Sequence, residues 1–204
     1  PKLILSPLEH NCSGKHAAFL ATCKKLNWPI DSYLKENHPL QKEIFRIISE
    51  LLEIPEYDMQ AERDDCGAPT LYLKLLEMAK LYSILSSSEN AELEQISRAI
   101  TTNPIMISDN NRFDTEIIKA SHGQVISKGG AEGIQCLCKV NEGIGLALKV
   151  EDGSRRAKHA VGLHLLNQLE WISELRIQDI EDKILKFPEG VRIEVKGQLK
   201  FQES

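Results

Sequence analysis

The spacing of apolar residues changes near the middle of the chain, and this change is the feature that most constrains the fold. In residues 1–120, apolar side chains recur every three to four positions, which is the period of an amphipathic helix. In residues 121–204, short apolar runs are separated by glycines, which is typical of strands joined by tight turns. The sequence therefore predicts an α+β protein, with a mainly helical first region and an antiparallel sheet with helices in the second.

Start and stop residues divide each region into elements. Pro39 suits the first turn of a helix, whereas Gly67 and Pro69 interrupt regular structure. Asn141–Gly143 is a hairpin turn pattern, so the strands on either side of it pair directly and antiparallel. The predicted helices are 11–26, 39–53, 70–85, 90–101 and 154–175, and the predicted strands are 124–128, 134–140, 144–150 and 191–196.

Composition excludes two classes of partner. The net charge of −5 and the pI of about 5.7 argue against a nucleic-acid-binding surface, which needs a basic stripe to neutralise phosphates. The longest apolar runs are far shorter than the roughly 20 residues that cross a bilayer. The chain also begins without the pattern of a secretion signal, so we expect a cytoplasmic location and no membrane association.

Five cysteines form an odd set that no disulfide scheme uses completely, and reduced thiols are the expectation for a cytoplasmic chain. Cys136 and Cys138 lie two positions apart in a predicted strand, so both side chains face the same side. We interpret this pair as packing residues.

Three short motifs contain most of the reactive side chains. The first, His10–His16, begins a helix, where unpaired N–H groups and the helix dipole favour a thiolate at Cys12. An exposed first helical turn explains the same residues equally well. A phosphate-binding loop is excluded, because Glu9 occupies the position of its first glycine and no Ser or Thr follows Lys15.

The second motif is the polar loop Asp64–Pro69, and the third is Ser127–Gly133, where a lysine ends a strand before a run of glycines. Glycine allows a ligand to approach the backbone closely. Taken singly, the second motif is better explained as a plain turn with a buried cysteine, and the third is a weak signal.

Together, the motifs resemble the asparaginase II family of the thermolabile, rhizobial type, whose fold is similar to serine β-lactamases and glutaminases. The resemblance rests on five blocks in the same order: HNCSGKHA from residue 10, DDCGAPT from 64, RFDTE from 112, KGGAEG from 128 and GIGLALKVEDGSRRA from 143. It covers nearly the whole chain.

The resemblance implies a zinc ion bound by Cys12, Lys15 and Cys66, with water as the fourth ligand. Thiolates are good zinc ligands, and a lysine joins them when burial and the nearby cation keep its amine neutral. Asp64 and His16 would then orient the ligands and the bound water.

The resemblance also implies a catalytic role for Lys128, since lysines activate the nucleophilic serine in this family. The substrate would be L-asparagine, hydrolysed through an acyl-enzyme to L-aspartate and ammonia. Gly130, Ala131 and Glu132 would bind the amino-acid end of the substrate. A lysine acts as a base only when burial or neighbouring positive charge lowers its pKa.

The resemblance further implies that the nucleophilic serine precedes the Cys12 motif, so residues 1–204 are expected to be the C-terminal portion of such an enzyme, inactive alone. Ser32 and Lys35 have the Ser-x-x-Lys spacing, but Asp31 and Ser32 are better explained as a helix cap. Without the N-terminal part the sheet would expose an apolar edge, which predicts a homodimer.

Two other functions are also compatible with the sequence. One is a zinc-binding structural or interaction module without catalysis. The other is an unrelated cysteine enzyme with Cys12 as nucleophile and His16 as base, although neighbours on one helix rarely place an imidazole over the sulfur.

Overall fold

The computed structural model describes residues 6–199 and divides the chain into two compact units, residues 1–73 and 74–204. Each unit has its own secondary structure and is described separately. The α+β class predicted from the sequence is confirmed. The likeness to serine β-lactamases stays a prediction, as does the division into regions 1–120 and 121–204.

The first unit contains helices α1 (Ser13–Lys25) and α2 (Pro39–Leu52) and a short antiparallel hairpin. Both predicted helices are confirmed to within two residues. The ring of His38 accepts the N–H of Leu40 at 3.1 Å and caps α2, and the left-handed residue Glu53 ends it.

The hairpin corrects one prediction. Strands β1 (Ala61–Arg63) and β2 (Pro69–Leu71) pair with each other, so Thr70 and Leu71 are in a strand and not in the predicted helix 70–85. The helix that follows begins only at Leu75, in the second unit. The helical period of residues 70–74 was therefore overridden by pairing with a strand eight or more residues earlier.

The second unit contains six helices and a three-stranded antiparallel sheet among its described residues. The predicted strands 124–128, 134–140 and 144–150 are confirmed, and the turn at Asn141–Gly143 joins the last two. The elements are α3 (Leu75–Ser86), α4 (Ala91–Thr102), α5 (Ile105–Ser108), α6 (Phe113–Ala120), β3 (Val125–Gly129), β4 (Ile134–Lys139), β5 (Ile144–Lys149), α7 (Arg155–Gln168) and α8 (Glu174–Ile184).

The core of the second unit forms where α6, α7 and α8 meet the sheet. Ile117, Leu137, Leu163 and Leu166 are fully buried in it. Helix α6 was not predicted, although all six residues from Phe113 to Ile118 are buried. Three of these six are polar, so the helix lacks the apolar stripe by which sequence analysis finds helices.

Helix α3 packs on the other side of β5 at Gly145, where its backbone passes so closely that a Cβ atom would overlap the carbonyl oxygen of Ala79. Cys136 and Cys138 are buried in β4, which confirms their interpretation as packing residues. Burial raises the pKa of these thiols to about 11 and about 12.

Two predictions for the C-terminal part were wrong. The helix predicted over 154–175 is two helices, because the left-handed residue Glu170 breaks it between α7 and α8. Residues 191–196 form no strand despite their alternating pattern. The segment that continues from them is held by side chains of α7: His164 donates to the carbonyl of Gly197 at 2.9 Å, and Gln168 pairs with the backbone of Leu199.

Candidate functional site

One histidine and two cysteines of the first unit form a candidate metal centre. The ligand atoms of His10, Cys12 and Cys66 all lie within 4.8 Å of one another. Cys12 is the N-cap residue of α1, and His10 precedes it in the same loop. Cys66 lies in the loop of the β1–β2 hairpin. The fold thus brings together two of the three predicted metal ligands, Cys12 and Cys66, across 54 residues of sequence.

Local hydrogen bonds hold these two loops. The Asp64 carboxylate accepts the backbone N–H groups of Cys66 at 2.9 Å and Ala68 at 3.0 Å, which closes the hairpin loop. The N–H of Cys12 donates to Nδ1 of His10 at 3.1 Å. A metal ion bound at Nδ1 would compete with this bond, whereas Nε2 makes no hydrogen bond to the residues described.

Lys15, the third predicted ligand, makes an ion pair at the edge of this cluster. Its Nζ lies 2.5 Å from Oδ2 of Asp64. Burial acts to lower the pKa of Lys15, but the bond to Asp64 and the negative charges of Asp64, Cys12 and Cys66 outweigh it and raise the pKa. In this state the amine is protonated, so binding a metal requires Lys15 to leave Asp64 and lose a proton.

Sequence analysis did not single out His10 as a candidate ligand. It stands inside the first motif, two residues before Cys12, but the family resemblance carried no role for it. His16, the other histidine of the motif, lies outside the cluster: its Nδ1 is 2.8 Å from the hydroxyl of Tyr33. The His-x-Cys spacing was the available signal, because both side chains leave one short loop.

The three donors fit zinc in chemistry and in separation. Thiolate and imidazole are the usual ligands of tetrahedral zinc, and Zn–S bonds of about 2.3 Å put ligand atoms about 3.7 Å apart. Here all three ligand atoms lie within 4.8 Å of one another, so a small contraction closes the set. The hydrogen bond with Cys12, together with burial and the charge of Asp64, raises the pKa of Cys66, and a cation would reverse that direction.

A second group of predicted site residues lies in the second unit, at the end of β3 and in the turn that follows it. Lys128 is exposed, and its Nζ donates to the carbonyl of Gly129 at 2.6 Å. Gly130 and Ala131 lead into the turn, which Glu132 completes in a left-handed conformation with φ 53°. The backbone N–H of Gly130 donates to the carbonyl of Ile134 at 2.9 Å. We call residues 129–133 the glycine turn.

A buried carboxylate lies against the glycine turn. Asp114 of α6 accepts three hydrogen bonds: Oδ1 from the hydroxyl of Ser127 and the amide of Gln135, both at 2.7 Å, and Oδ2 from the N–H of Gly129 at 2.9 Å. These donors belong to β3 and β4. Asp114 therefore fixes both strands at the point where the turn begins.

Lys158 of α7 is a buried cation beside the same turn. Its Nζ donates to the carbonyls of Gly130 and Ile134, each at 3.0 Å. Burial lowers the pKa of Lys158, the charge of Asp114 opposes this, and the positive charges of Lys128 and Arg155 add to it. Neither Asp114 nor Lys158 was singled out from the sequence, although both belong to or adjoin blocks of the resemblance.

His159 is a further titratable residue of this region with a shifted pKa. Its ring stacks on Phe113 with centroids 4.3 Å apart and an interplanar angle of 2°. Burial, followed by the positive charge of Lys158, lowers its pKa to about 4. The imidazole is therefore neutral at pH 7.

The second unit thus presents a lysine beside a glycine-rich turn, and the first presents a cluster of thiol and imidazole groups. Comparison with protein families identifies the group: residues 3–201 match the family model of L-asparaginase II, nearly the whole of the 204-residue chain. The chain belongs to the L-asparaginase II family. A search of curated proteins finds no match.

Proposed function

We propose that the chain carries out its part in the hydrolysis of L-asparagine to L-aspartate and ammonia, with Lys128 as the catalytic lysine. The family match over residues 3–201 carries this proposal. The structure supports it with an exposed lysine at the entrance of a turn whose first residues are glycines. Small residues leave the backbone of such a turn open to a substrate.

The reaction follows the serine and lysine chemistry that the resemblance implies. A serine hydroxyl attacks the side-chain amide carbon of asparagine while the amine of Lys128 takes its proton. The tetrahedral intermediate expels ammonia, which leaves with a proton from the lysine. Water then attacks the resulting ester, releases L-aspartate and restores the serine hydroxyl. Gly130, Ala131 and Glu132 bind the amino-acid end of the substrate.

We propose further that the nucleophilic serine is not among residues 6–199. Among these residues, no serine hydroxyl is hydrogen-bonded to Nζ of Lys128, and Ser127 next to it is fully buried against Asp114. Ser32, with Lys35 at the Ser-x-x-Lys spacing, lies in a turn of the first unit. The chain alone is then expected to be inactive.

Ammonia release from L-asparagine tests both parts of this proposal. The purified chain is expected to release none. The chain is then added to a homologous family member that carries the serine but in which the equivalent of Lys128 has been replaced. The wild-type chain should restore ammonia release by this homologue, and the Lys128→Ala chain should not. Turnover by the chain alone would contradict the missing serine, and equal restoration by Lys128→Ala would contradict the catalytic role of Lys128.

We propose zinc as the metal of the first unit, with His10, Cys12 and Cys66 in contact with it and Lys15 as the ligand implied by the resemblance. Asp64 and His16 orient the neighbouring side chains. Bound zinc supplies a positive charge that keeps both thiols deprotonated and links the α1 loop to the hairpin loop. One zinc per chain is expected by elemental analysis, and Cys12→Ser with Cys66→Ser should abolish it.

The variants His10→Ala and Lys15→Ala separate the two candidates for the third protein ligand. Loss of His10 is expected to weaken zinc binding more, because its ring already lies in the cluster, whereas Lys15 is held as a cation by Asp64. Weaker binding by Lys15→Ala than by His10→Ala would favour the ligand set of the resemblance instead.

A second candidate function is a non-catalytic zinc-binding structural or interaction module. The cluster of His10, Cys12 and Cys66 favours it, since a metal there supports the fold whether or not Lys128 reacts. Under this function, chelation lowers stability, and complementation with the serine-bearing homologue produces no ammonia. Turnover in that experiment would exclude it.

A cytoplasmic location and a homodimer remain part of the proposal. None of the helices in the described part of the chain is long and apolar enough to cross a membrane. The family match suggests a small amide, L-asparagine, as the ligand. The net charge of −5 argues against a nucleic-acid partner. Sedimentation at high protein concentration should show the dimer, and a monomer would contradict it.

A further inference from the structure

Two charged residues are buried beside the glycine turn, and they come from two different helices. Asp114 on α6 is 7% exposed and Lys158 on α7 is 6% exposed. Burying charges is costly, and replacing buried charged groups by well-packed apolar residues of similar size is often neutral or stabilising. The pair is therefore better explained by the geometry that it imposes than by the stability that it adds.

Asp114 fixes the backbone where the glycine turn begins. Its carboxylate joins Ser127 and Gly129 of β3 to Gln135 of β4, so the two strands are linked through a third element as well as through their own ladder. Hydrogen bonds to an ionised acceptor are shorter and stronger than neutral ones. Lys128 stands between two of these donors, so the backbone that bears its side chain is fixed on both sides.

Lys158 fixes the backbone on both sides of the glycine turn. Its ammonium group bonds the carbonyl of Gly130 on one side of the turn and that of Ile134 on the other. Both carbonyls therefore point inward, toward α7. Peptide geometry then fixes the orientation of the following N–H group, which is that of Ala131 after Gly130.

Gly129 is the place where these groups converge. A Cβ atom there would lie 2.9 Å from Nζ of Lys158, 3.2 Å from Oε1 of Gln135 and 3.4 Å from Oδ2 of Asp114. Oε1 of Gln135 is buried and has no hydrogen-bond partner among residues 6–199. The polar groups are thus packed against the backbone itself, with no side chain between.

We propose that Asp114 and Lys158 are positioning residues of the amidase site: they hold the glycine turn so that Lys128 and the backbone of Gly130 and Ala131 keep the orientation that binds substrate. This inference rests on the proposed function of Lys128. The two residues do not touch the substrate and act only through the turn.

The test compares Lys158→Met and Lys158→Arg with Lys139→Met as the matched control. Lys139 lies at the opposite end of β4, where its Nζ is 3.5 Å from the side-chain oxygen of Gln124. Hydrogen exchange followed by NMR reports on the amide N–H groups of Gly130 and Ile134, both of which are hydrogen-bonded in the turn. The amide of Leu146 in β5 serves as an internal reference for the fold.

Lys158→Met is expected to raise the exchange rates of the Gly130 and Ile134 amides by about tenfold or more, because it removes hydrogen bonds to a charged donor. Lys158→Arg should recover part of the protection, and Lys139→Met should leave the wild-type rates. Unchanged rates in Lys158→Met would overturn the inference. If this variant does not fold, Asp114→Asn tests the same point through the amide of Gly129.

Titration with L-aspartate, the proposed product, separates this inference from the proposed function. In the wild type, L-aspartate is expected to shift the Gly130 and Ala131 amide signals, and Lys158→Met should lose the shift while Lys158→Arg regains part of it. Absence of any shift in the wild type would count against the proposed function, while the exchange rates still decide on the positioning role. A wild-type shift retained in Lys158→Met would overturn the inference alone.

Discussion

The two units of this chain are stabilised differently. The second unit has a continuous core of large apolar residues, in which Ile117, Leu137 and Leu163 are fully buried. In the first unit, the buried apolar residues of the described part are only Cys23, Leu40, Leu52 and Ala68. A unit with so small a core needs another source of stability, and metal binding is a usual one. From this difference we expect that a metal bound at the proposed ligand cluster would stabilise the first unit, whereas the second unit is stabilised by packing.

The polar groups of the two proposed sites also differ in burial. Asp114 and Lys158 are buried and hydrogen-bonded, so the glycine turn is formed without any ligand. His10 is exposed, Cys12 and Cys66 are partly exposed, and Lys15 is held away by Asp64. The donor atoms of the first site are close together but partly exposed, so we expect a metal ion to complete that site, whereas the second is preformed.

The largest effect is expected from adding one methyl group to the packed unit. Gly145→Ala places a Cβ against the backbone of α3, where the carbonyl of Ala79 and the amide of Ser83 cannot move independently. We expect a loss of about 3 kcal/mol in the free energy of unfolding, the upper end of overpacking costs. Urea denaturation followed by circular dichroism measures it.

Gly14→Ala in α1 of the first unit is the matched control, because nothing lies within 4 Å of its added Cβ. Alanine favours helix over glycine by about 1 kcal/mol, so this variant should be neutral or slightly stabilising. Equal destabilisation by both substitutions would break the contrast between a packed and an open unit.

Metal removal should affect the first unit alone. Zinc at about 100 times its dissociation constant stabilises a folded unit by about 2.7 kcal/mol, and a chelator removes this. We expect the amides of α2 to lose hydrogen-exchange protection on chelation while those of β4 keep theirs. The double variant Cys12→Ser with Cys66→Ser should not respond to chelator. Loss of protection in β4 as well would contradict separate stabilisation.

Acid should affect the second unit through His159. Its pKa in the folded unit, about 4, lies below the ordinary value of 6.5. Between these two pH values the unfolded chain binds a proton at His159 and the folded unit does not. Stability is then lost as the pH falls from 6.5 to 4. We expect the free energy of unfolding to fall by roughly 1 to 2 kcal/mol over this range. This is less than the full pKa shift implies, because the ring is partly exposed.

His159→Phe keeps the stacking on Phe113 and removes the titration. The difference in unfolding free energy between this variant and the wild type should therefore be constant above pH 6.5. Between pH 6.5 and pH 4 it should change by the roughly 1 to 2 kcal/mol expected for His159. A difference that does not vary with pH would show that His159 is not held neutral.

Chemical labelling of thiols is expected to have the smallest effect on the protein. It compares the exposure of the cysteines in the two units without altering the fold. Cys12 and Cys66 are partly exposed and should react with a thiol reagent in the native, metal-free chain. Cys23, Cys136 and Cys138 are buried and should react only after unfolding. Zinc should protect the first two. Native labelling of Cys136 would contradict the packing of β4.

The sequence predicted the elements whose apolar pattern is regular and local. Helix α2 and strands β3, β4 and β5 follow from spacing and turn residues. Helix α6 was missed because Asp114, Thr115 and Glu116 are buried polar residues with partners elsewhere in the chain. The strand predicted over 191–196 failed for the opposite reason, since an alternating pattern forms a strand only where another strand is available to pair with it.

The site divides along the same line. The motifs around Cys12, Cys66 and Lys128, and the family to which the chain belongs, follow from short stretches of sequence. That Cys66 meets Cys12 and His10, that Asp64 holds Lys15 as a cation, and that Asp114 and Lys158 support the glycine turn were decided only by the tertiary structure. The physical reason is that burial and partnership of polar groups depend on residues far apart in the chain, which no local pattern records.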